Sequence, residues 1–372
     1  MKPGLTAAAA LLAFTALFTT SLVTVSLVTG ALAQQRGGIR AQGKDVNLDR
    51  QRKEQKRTTT SSLVDARQEM RKLVRHISSV SRRANRNFVV ITMGGLELIE
   101  KIDAVDTTRK SPATTYMRAI DGIIIRSLNM HPPEGGKRET RTDKKVRDEL
   151  IRMADLGKRR GLRILVADYA KTPNMITESI NLNKAKGYVP FFVDNPEFRF
   201  DSIPKFPKRP FQENSKNITG LKFAQNILFL NDSSQYDSRD KFVLALNDTN
   251  FDAVVVDVYH RGRSPFQRIH VRGMKFKKLG ARRLALAYMN VGQADSSRYY
   301  WKPGWREGRP SFLGSPVLGE PDNHYVQYWN PAWKNIIAGD TKSYTYGIIA
   351  QGYDGVVIDG VDSYLFFEGA TR

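Results

Sequence analysis

Gly352-Tyr353-Asp354-Gly355-Val356-Val357-Ile358-Asp359 is the stretch on which the fold turns. Three β-branched residues stand together with no polar position between them. Both faces of that strand are therefore expected to be buried, as in a parallel sheet. A carboxylate, Asp359, follows at once. In barrels of alternating strands and helices the active site gathers at the strands' C-terminal ends, so a polar residue there is informative.

Seven earlier runs read the same way, at 88–92, 122–125, 163–167, 189–193, 227–230, 253–258 and 284–289. Charged, periodic segments at 142–160 and 266–279 lie between some of them and close on Gly161 and Gly280 as helix stops. Eight strands with helices between them predict an α/β fold, a (β/α)8 TIM barrel. An open doubly wound sheet is the alternative, but no Gly-x-Gly-x-x-Gly follows any strand. The polar residues at strand ends are Arg126, Asp168 with Tyr169, Asp257, Asn290 with Gln293, and Asp359. Each of the aspartates can instead cap a helix.

The chain has 372 residues, no cysteine and a formal net charge of +22. The length allows two domains or one large barrel. The absence of cysteine excludes disulfides, thiolate metal sites and a Cys nucleophile. A charge of this size invites a polyanion partner. Residues 34–87, however, hold 15 Lys and Arg against 5 Asp and Glu, nearly half of the excess. Lys2, the apolar run from Leu5 to Val28 and Ala31-Leu32-Ala33 form the pattern of a secretory signal. The run is also long enough to remain as an anchor. The expected organisation is a signal peptide at 1–33, a flexible basic linker at 34–61 and a barrel at 62–372, in a secreted or periplasmic protein. Membrane association is expected only if the signal is retained. A helix is predicted over 62–85, from Leu63, Met70, Leu73, Val74, Ile77 and Val80.

Several motifs follow one another between 250 and 364. They are Asn250-Phe251-Asp252-Ala253-Val254-Val255-Val256-Asp257, Ala287-Tyr288-Met289-Asn290-Val291-Gly292-Gln293-Ala294-Asp295, Arg298-Tyr299-Tyr300-Trp301, Tyr328-Trp329-Asn330-Pro331-Ala332-Trp333 and the stretch ending at Asp359. In this order they resemble the N-terminal half of the endo-α-1,4-polygalactosaminidases, glycoside hydrolase family 114. That family includes extracellular proteins once labelled cysteinyl-tRNA synthetase-related, yet no nucleotide-binding motif is present here. The segments Asn87–Leu98, Ile120–Arg126, Leu165–Tyr169 and Gly187–Pro190 resemble the family's other half, which here comes first. The sequence thus reads as a circular permutant, cut in the loop after Tyr364, with the 62–85 helix beside the strand of Asp359 and Arg372 near that helix's start.

The resemblance implies glycoside hydrolysis, which uses two carboxyl groups roughly 5–5.5 Å apart for retention or 6.5–9.5 Å for inversion. Asp359 is the expected catalytic carboxylate, with Asp257 or Asp168 as a partner. Where the family places its other acid, this sequence has Arg126, which neither donates a proton at neutral pH nor acts as a base. The family's Gly-Glu-Ala-Glu/Asp turn is Gly292-Gln293-Ala294-Asp295. Tyr288, Gln293, Asp295, Arg298, Tyr299, Trp301, Arg126 and Asp362 are expected to line a substrate cleft. All four Trp fall in one aromatic segment, 299–333, where flat faces suit sugar rings; Trp329 and Trp333 are expected in the core. Two readings follow: a secreted hydrolase of an amino-sugar-containing or anionic polysaccharide, or a degenerate barrel that only binds one. The five His show no metal-ligand spacing, so no metal or cofactor is expected. No specific nucleic-acid partner is expected, and the oligomeric state is open.

Overall fold

The computed structural model describes residues 64–103, 105–133, 139–195 and 198–369. The predicted signal and linker, together with Arg372, lie outside them. Asp65–Arg372 forms one compact unit. Its eight parallel strands are β1 Val89–Met93, β2 Gly122–Arg126, β3 Arg163–Tyr169, β4 Val189–Val193, β5 Ile227–Phe229, β6 Ala253–Val256, β7 Leu284–Asn290 and β8 Gly355–Asp359. They are ordered β4-β3-β2-β1-β8-β7-β6-β5. The two outer members meet through Phe191 and Phe229, whose ring centroids are 5.0 Å apart. The result is a nearly closed (β/α)8 TIM barrel, as the strand count predicted.

β8 lies between β1 and β7, with Thr92 opposite Ile358 and Asn290 opposite Asp359. Val356, Val357 and Ile358 are buried on both sides of the sheet. Continuous apolar runs are the sequence signature of such strands, whose outer face is covered by helices.

The principal helices are α1 Ala66–Ala84, α2 Lys144–Arg159, α3 Pro173–Lys186, α4 Arg239–Asn247, α5 Arg268–Met274, α6 Pro331–Ala338 and α7 Tyr344–Gln351. Asp65 caps α1 by accepting the Gln68 N–H at 2.9 Å. Met70, Leu73, Val74 and Ile77, one stripe of α1, are fully buried. The Arg67 guanidinium meets Glu368 at 2.9 Å, and Tyr328 donates its hydroxyl to the Ala66 carbonyl at 2.8 Å. The start of α1 therefore sits against the chain's last described residues.

Two features escaped the sequence reading. A three-stranded antiparallel sheet, Gln293–Asp295, Leu313–Val317 and Glu320–Val326, rises beyond β7. Between β4 and β5 the chain runs from 198 to 220 without a helix. That loop is pinned by a fully buried ion pair, Lys277 to Asp252 at 2.6 Å. Asn214 donates to the same carboxylate at 3.1 Å, and Lys277 also donates to the carbonyls of Asn214 and Lys216. Every polar atom of the pair thus finds partners, as burial of charge requires.

Candidate functional site

Asp359 ends β8 and is 8% exposed at the C-terminal mouth of the barrel. Its Oδ2 accepts from Arg126 Nη2 at 2.8 Å and from the Tyr288 hydroxyl at 2.7 Å. Its Oδ1 accepts the Gly360 N–H at 2.8 Å. Three donors therefore hold the carboxylate, and one of them is a cation. Arg126 reaches it because β2 and β8 flank β1, so that residues closing β2 and β8 face each other across the mouth.

Burial is the largest influence on Arg126 and opposes its charge, but Asp359, Tyr288 and Asp362 together outweigh it and raise the guanidinium pKa. The Tyr288 hydroxyl is pushed well above its ordinary value, by burial first and then by the Asp359 charge. It stays protonated and donates. The Nε of Arg126 is buried without a partner.

A second ion pair stands beside the first. Arg298 binds both oxygens of Asp257 at 2.8 Å and reaches Asp295 at 3.2 Å. Its guanidinium also lies over the Tyr259 ring, 5.5 Å from the centroid. Planar fork geometry makes this bidentate pairing specific to arginine. In this cluster four carboxylates, Asp359, Asp362, Asp257 and Asp295, stand with two guanidiniums that bond to them, Arg126 to Asp359 and Arg298 to Asp257 and Asp295. The site is therefore acidic within a strongly basic protein.

Asp362 sits on the one turn of 3-10 helix after β8 and accepts the Gly95 N–H. Gly94 (φ +80°) makes room for it, since a Cβ there would lie 2.4 Å from the carboxylate. Gln293 is held by Asn290: the Asn290 amide donates to its side-chain oxygen at 3.0 Å, and the Asn290 oxygen accepts its backbone N–H at 3.0 Å. Asp168 is placed differently. It has no exposed surface and accepts from the Asn129 backbone and side chain at 2.8 and 2.9 Å and from Ser179 at 2.7 Å. Burial raises its pKa against those hydrogen bonds. This is the geometry of an anchor for the β2–α2 loop, with no carboxylate oxygen facing solvent.

The aromatic segment divides between core and rim. Trp333 and Tyr328 are fully buried, and Trp333 Nε1 donates to the Val291 carbonyl at 2.9 Å. Tyr300 packs edge-on against Trp333. Trp329 is half-buried rather than fully in the core. Tyr299 is 50% exposed, and Trp301 is half-buried against Trp305 with centroids 5.3 Å apart. Tyr259 and Tyr344, both near Arg298, were missed: neither lies in a motif, and only folding brings them to the mouth. Among the described residues no group of His, Asp or Glu is arranged to hold a metal ion.

The strand-end aspartate, the paired arginines and the aromatic rim coincide with a family match. The family model described as glycoside-hydrolase family GH114 matches residues 220–372. The match covers the C-terminal two-fifths of the chain. The GH114 region carries Asp257, Tyr288, Arg298 and Asp359, while Arg126 lies before it. Similar proteins include an uncharacterized protein of Methanocaldococcus jannaschii, 29% identical over 177 residues, 47% of each chain. Another, from Deinococcus radiodurans, is 35% identical over 120 residues, 32% of this chain and 36% of that one. A third, from Thermotoga maritima, is 29% identical over 136 residues, 37% of this chain and 40% of that one. The matches thus span less than half the length of these relatives. The match is to a glycoside-hydrolase family, and it covers the strands β6, β7 and β8 that carry Asp257, Tyr288 and Asp359.

Proposed function

We propose that this barrel binds an amino-sugar-containing polysaccharide at the mouth around Asp359 and has lost most of the family's hydrolytic power. The observation that carries the reading is the 2.8 Å pair between Arg126 and Asp359. A glycosidase needs one carboxyl group protonated and another free to attack or to activate water. Here Asp359 is held by a cation and a tyrosine, and both Asp257 and Asp295 are held by Arg298. Losing a general acid or base lowers rates by roughly 10²–10⁴-fold. The net negative mouth suits a cationic or acetylated amino sugar better than an anionic glycan, with Tyr299 and Trp301 as stacking surfaces.

Calorimetric titration with galactosamine oligomers, free and N-acetylated, tests binding. A reducing-end assay on the same polymers tests turnover. Binding without turnover in the wild type is the expected result. Hydrolysis by the wild type that disappears in Asp359→Asn would overturn the loss of catalysis and restore Asp359 as a working nucleophile or base.

The same reading makes the protein an exported circular permutant. The motif order and the GH114 match, which starts at residue 220, where the helix-free 198–220 loop ends, support the permutation, and the signal-like pattern of Lys2, Leu5 to Val28 and Ala31-Leu32-Ala33 supports export. The Arg67–Glu368 contact keeps the two ends of the described chain together, a condition that any closed barrel meets.

A further inference from the structure

The segments that lead into the eight strands are 82–88, 118–121, 158–163, 184–188, 213–225, 247–252, 275–283 and 352–354. Together they carry 17 Lys and Arg against 5 Asp and Glu. More than half of the net +22 therefore lies at the barrel's N-terminal end, opposite Asp359. Helix dipoles explain part of this, because cations are favourable at helix C-termini, and α2 and α3 both end in basic residues. They do not explain the apolar side chains displayed among the cations. Phe223, Phe276 and Leu279 are 49, 48 and 62% exposed.

These side chains stand on loops tied into one surface. The Ile218 N–H donates to the Arg282 carbonyl at 2.9 Å, and the buried Lys277 ammonium donates to the Lys216 carbonyl at 3.0 Å. Arg163 donates to the Ala224 carbonyl at 2.7 Å, which joins the neighbouring basic turn at Arg160 to the same surface. The Lys222 ammonium lies over the Phe223 ring, 4.9 Å from its centroid, so charge and ring reach the surface together.

We propose that this end of the barrel docks on a lipid surface bearing anionic headgroups. Lys216, Lys222 and Arg160 meet the phosphates, while Phe223, Phe276 and Leu279 enter the interfacial layer. A soluble polyanion would satisfy the cations and leave three large apolar groups in water; an anionic bilayer satisfies both. Docked in this way, the barrel holds its acidic mouth away from the lipid, open to a polysaccharide.

The absence of cysteine makes a local test possible. Leu279→Cys, and separately Leu318→Cys on the hairpin beyond β7 (76% exposed), are labelled in the full chain with an environment-sensitive fluorophore. Phosphatidylglycerol–phosphatidylcholine vesicles are expected to blue-shift the label at 279 and not at 318, and high salt is expected to reverse the shift. Adding Lys216→Gln, Lys222→Gln and Arg160→Gln to Leu279→Cys should raise the lipid needed about 100-fold. All three side chains are exposed, and an unchanged melting curve checks that the variant folds. Silence at 279, equal shifts at both positions or an equal shift with phosphatidylcholine alone each overturn the proposal. A shift at 279 produced as strongly by soluble heparin overturns the lipid assignment in favour of a soluble polyanion.

Discussion

Arg126→Met and Asp359→Asn, made singly and together, measure the interaction on which the proposed loss of hydrolysis rests. Two unit charges about 4 Å apart at an effective dielectric of 20 attract by about 4 kcal/mol. The Arg126 side chain is 32% exposed and Asp359 12%, so solvent weakens that attraction. Tyr288 and Gly360 still hold the carboxylate when Arg126 is gone. A coupling of about 1–3 kcal/mol is the net expectation, with Arg126→Met alone costing about 2–3 kcal/mol because it leaves a half-satisfied buried carboxylate. Urea unfolding of the four proteins at pH 7 gives the coupling directly. Asp359→Asn keeps an oxygen acceptor, so the measured value is a lower bound. A coupling indistinguishable from zero would refute the reasoning: Asp359 would then be free of Arg126, and the argument for lost catalysis would fail with it.

Arg126→Glu puts a carboxyl group where the resemblance leads one to expect it, and if the proposed function is right, measurable reducing-end release, at least about 10²-fold above wild type, is expected in a polymer-cleavage assay. Tyr299→Ala and Trp301→Ala should each weaken glycan binding about 3- to 10-fold by calorimetry, with the melting point lowered more by Trp301→Ala, whose ring packs on Trp305. Gly292→Ala should destabilise by about 1–3 kcal/mol in urea, because its Cβ would lie 2.0 Å from the Gly360 carbonyl oxygen. Asp168 has a raised folded-state pKa, so its contribution is fully present below the unfolded value of about 3.9 and is lost as pH rises through the folded value. The stability difference between wild type and Asp168→Asn, followed by urea midpoints, should therefore move against the wild type as pH increases across that window.

The barrel was legible because its signal is local. A strand buried on both faces has to be apolar at consecutive positions, and β8 is Gly355 to Asp359 where the run 355–358 was read. The 62–85 helix appears as Ala66–Ala84 for the same reason, since its apolar stripe repeats every turn. The antiparallel sheet beyond β7 was not legible: its strand Glu320–Val326 is mostly polar, and although a hairpin joins it to Leu313–Val317, its other partner, Gln293–Asp295, lies well back along the chain. The helix-free 198–220 loop was hidden too, because what fixes it is a buried Lys277–Asp252 pair 25 residues apart in sequence.

The site divides along the same line. Sequence alone determined that Asp359, Asp257 and Arg126 stand at strand ends, because strand ends are set by nearby residues. Only the tertiary structure decided what each does there, because charge pairing depends on distance and not on order. Arg126 and Asp359 are 233 residues apart and share a hydrogen bond; Asp168, an equally promising strand-end carboxylate, is turned inward to hold a loop. The charge of +22 could be counted from the sequence, but its separation into a basic end and an acidic mouth exists only once eight strands point the same way.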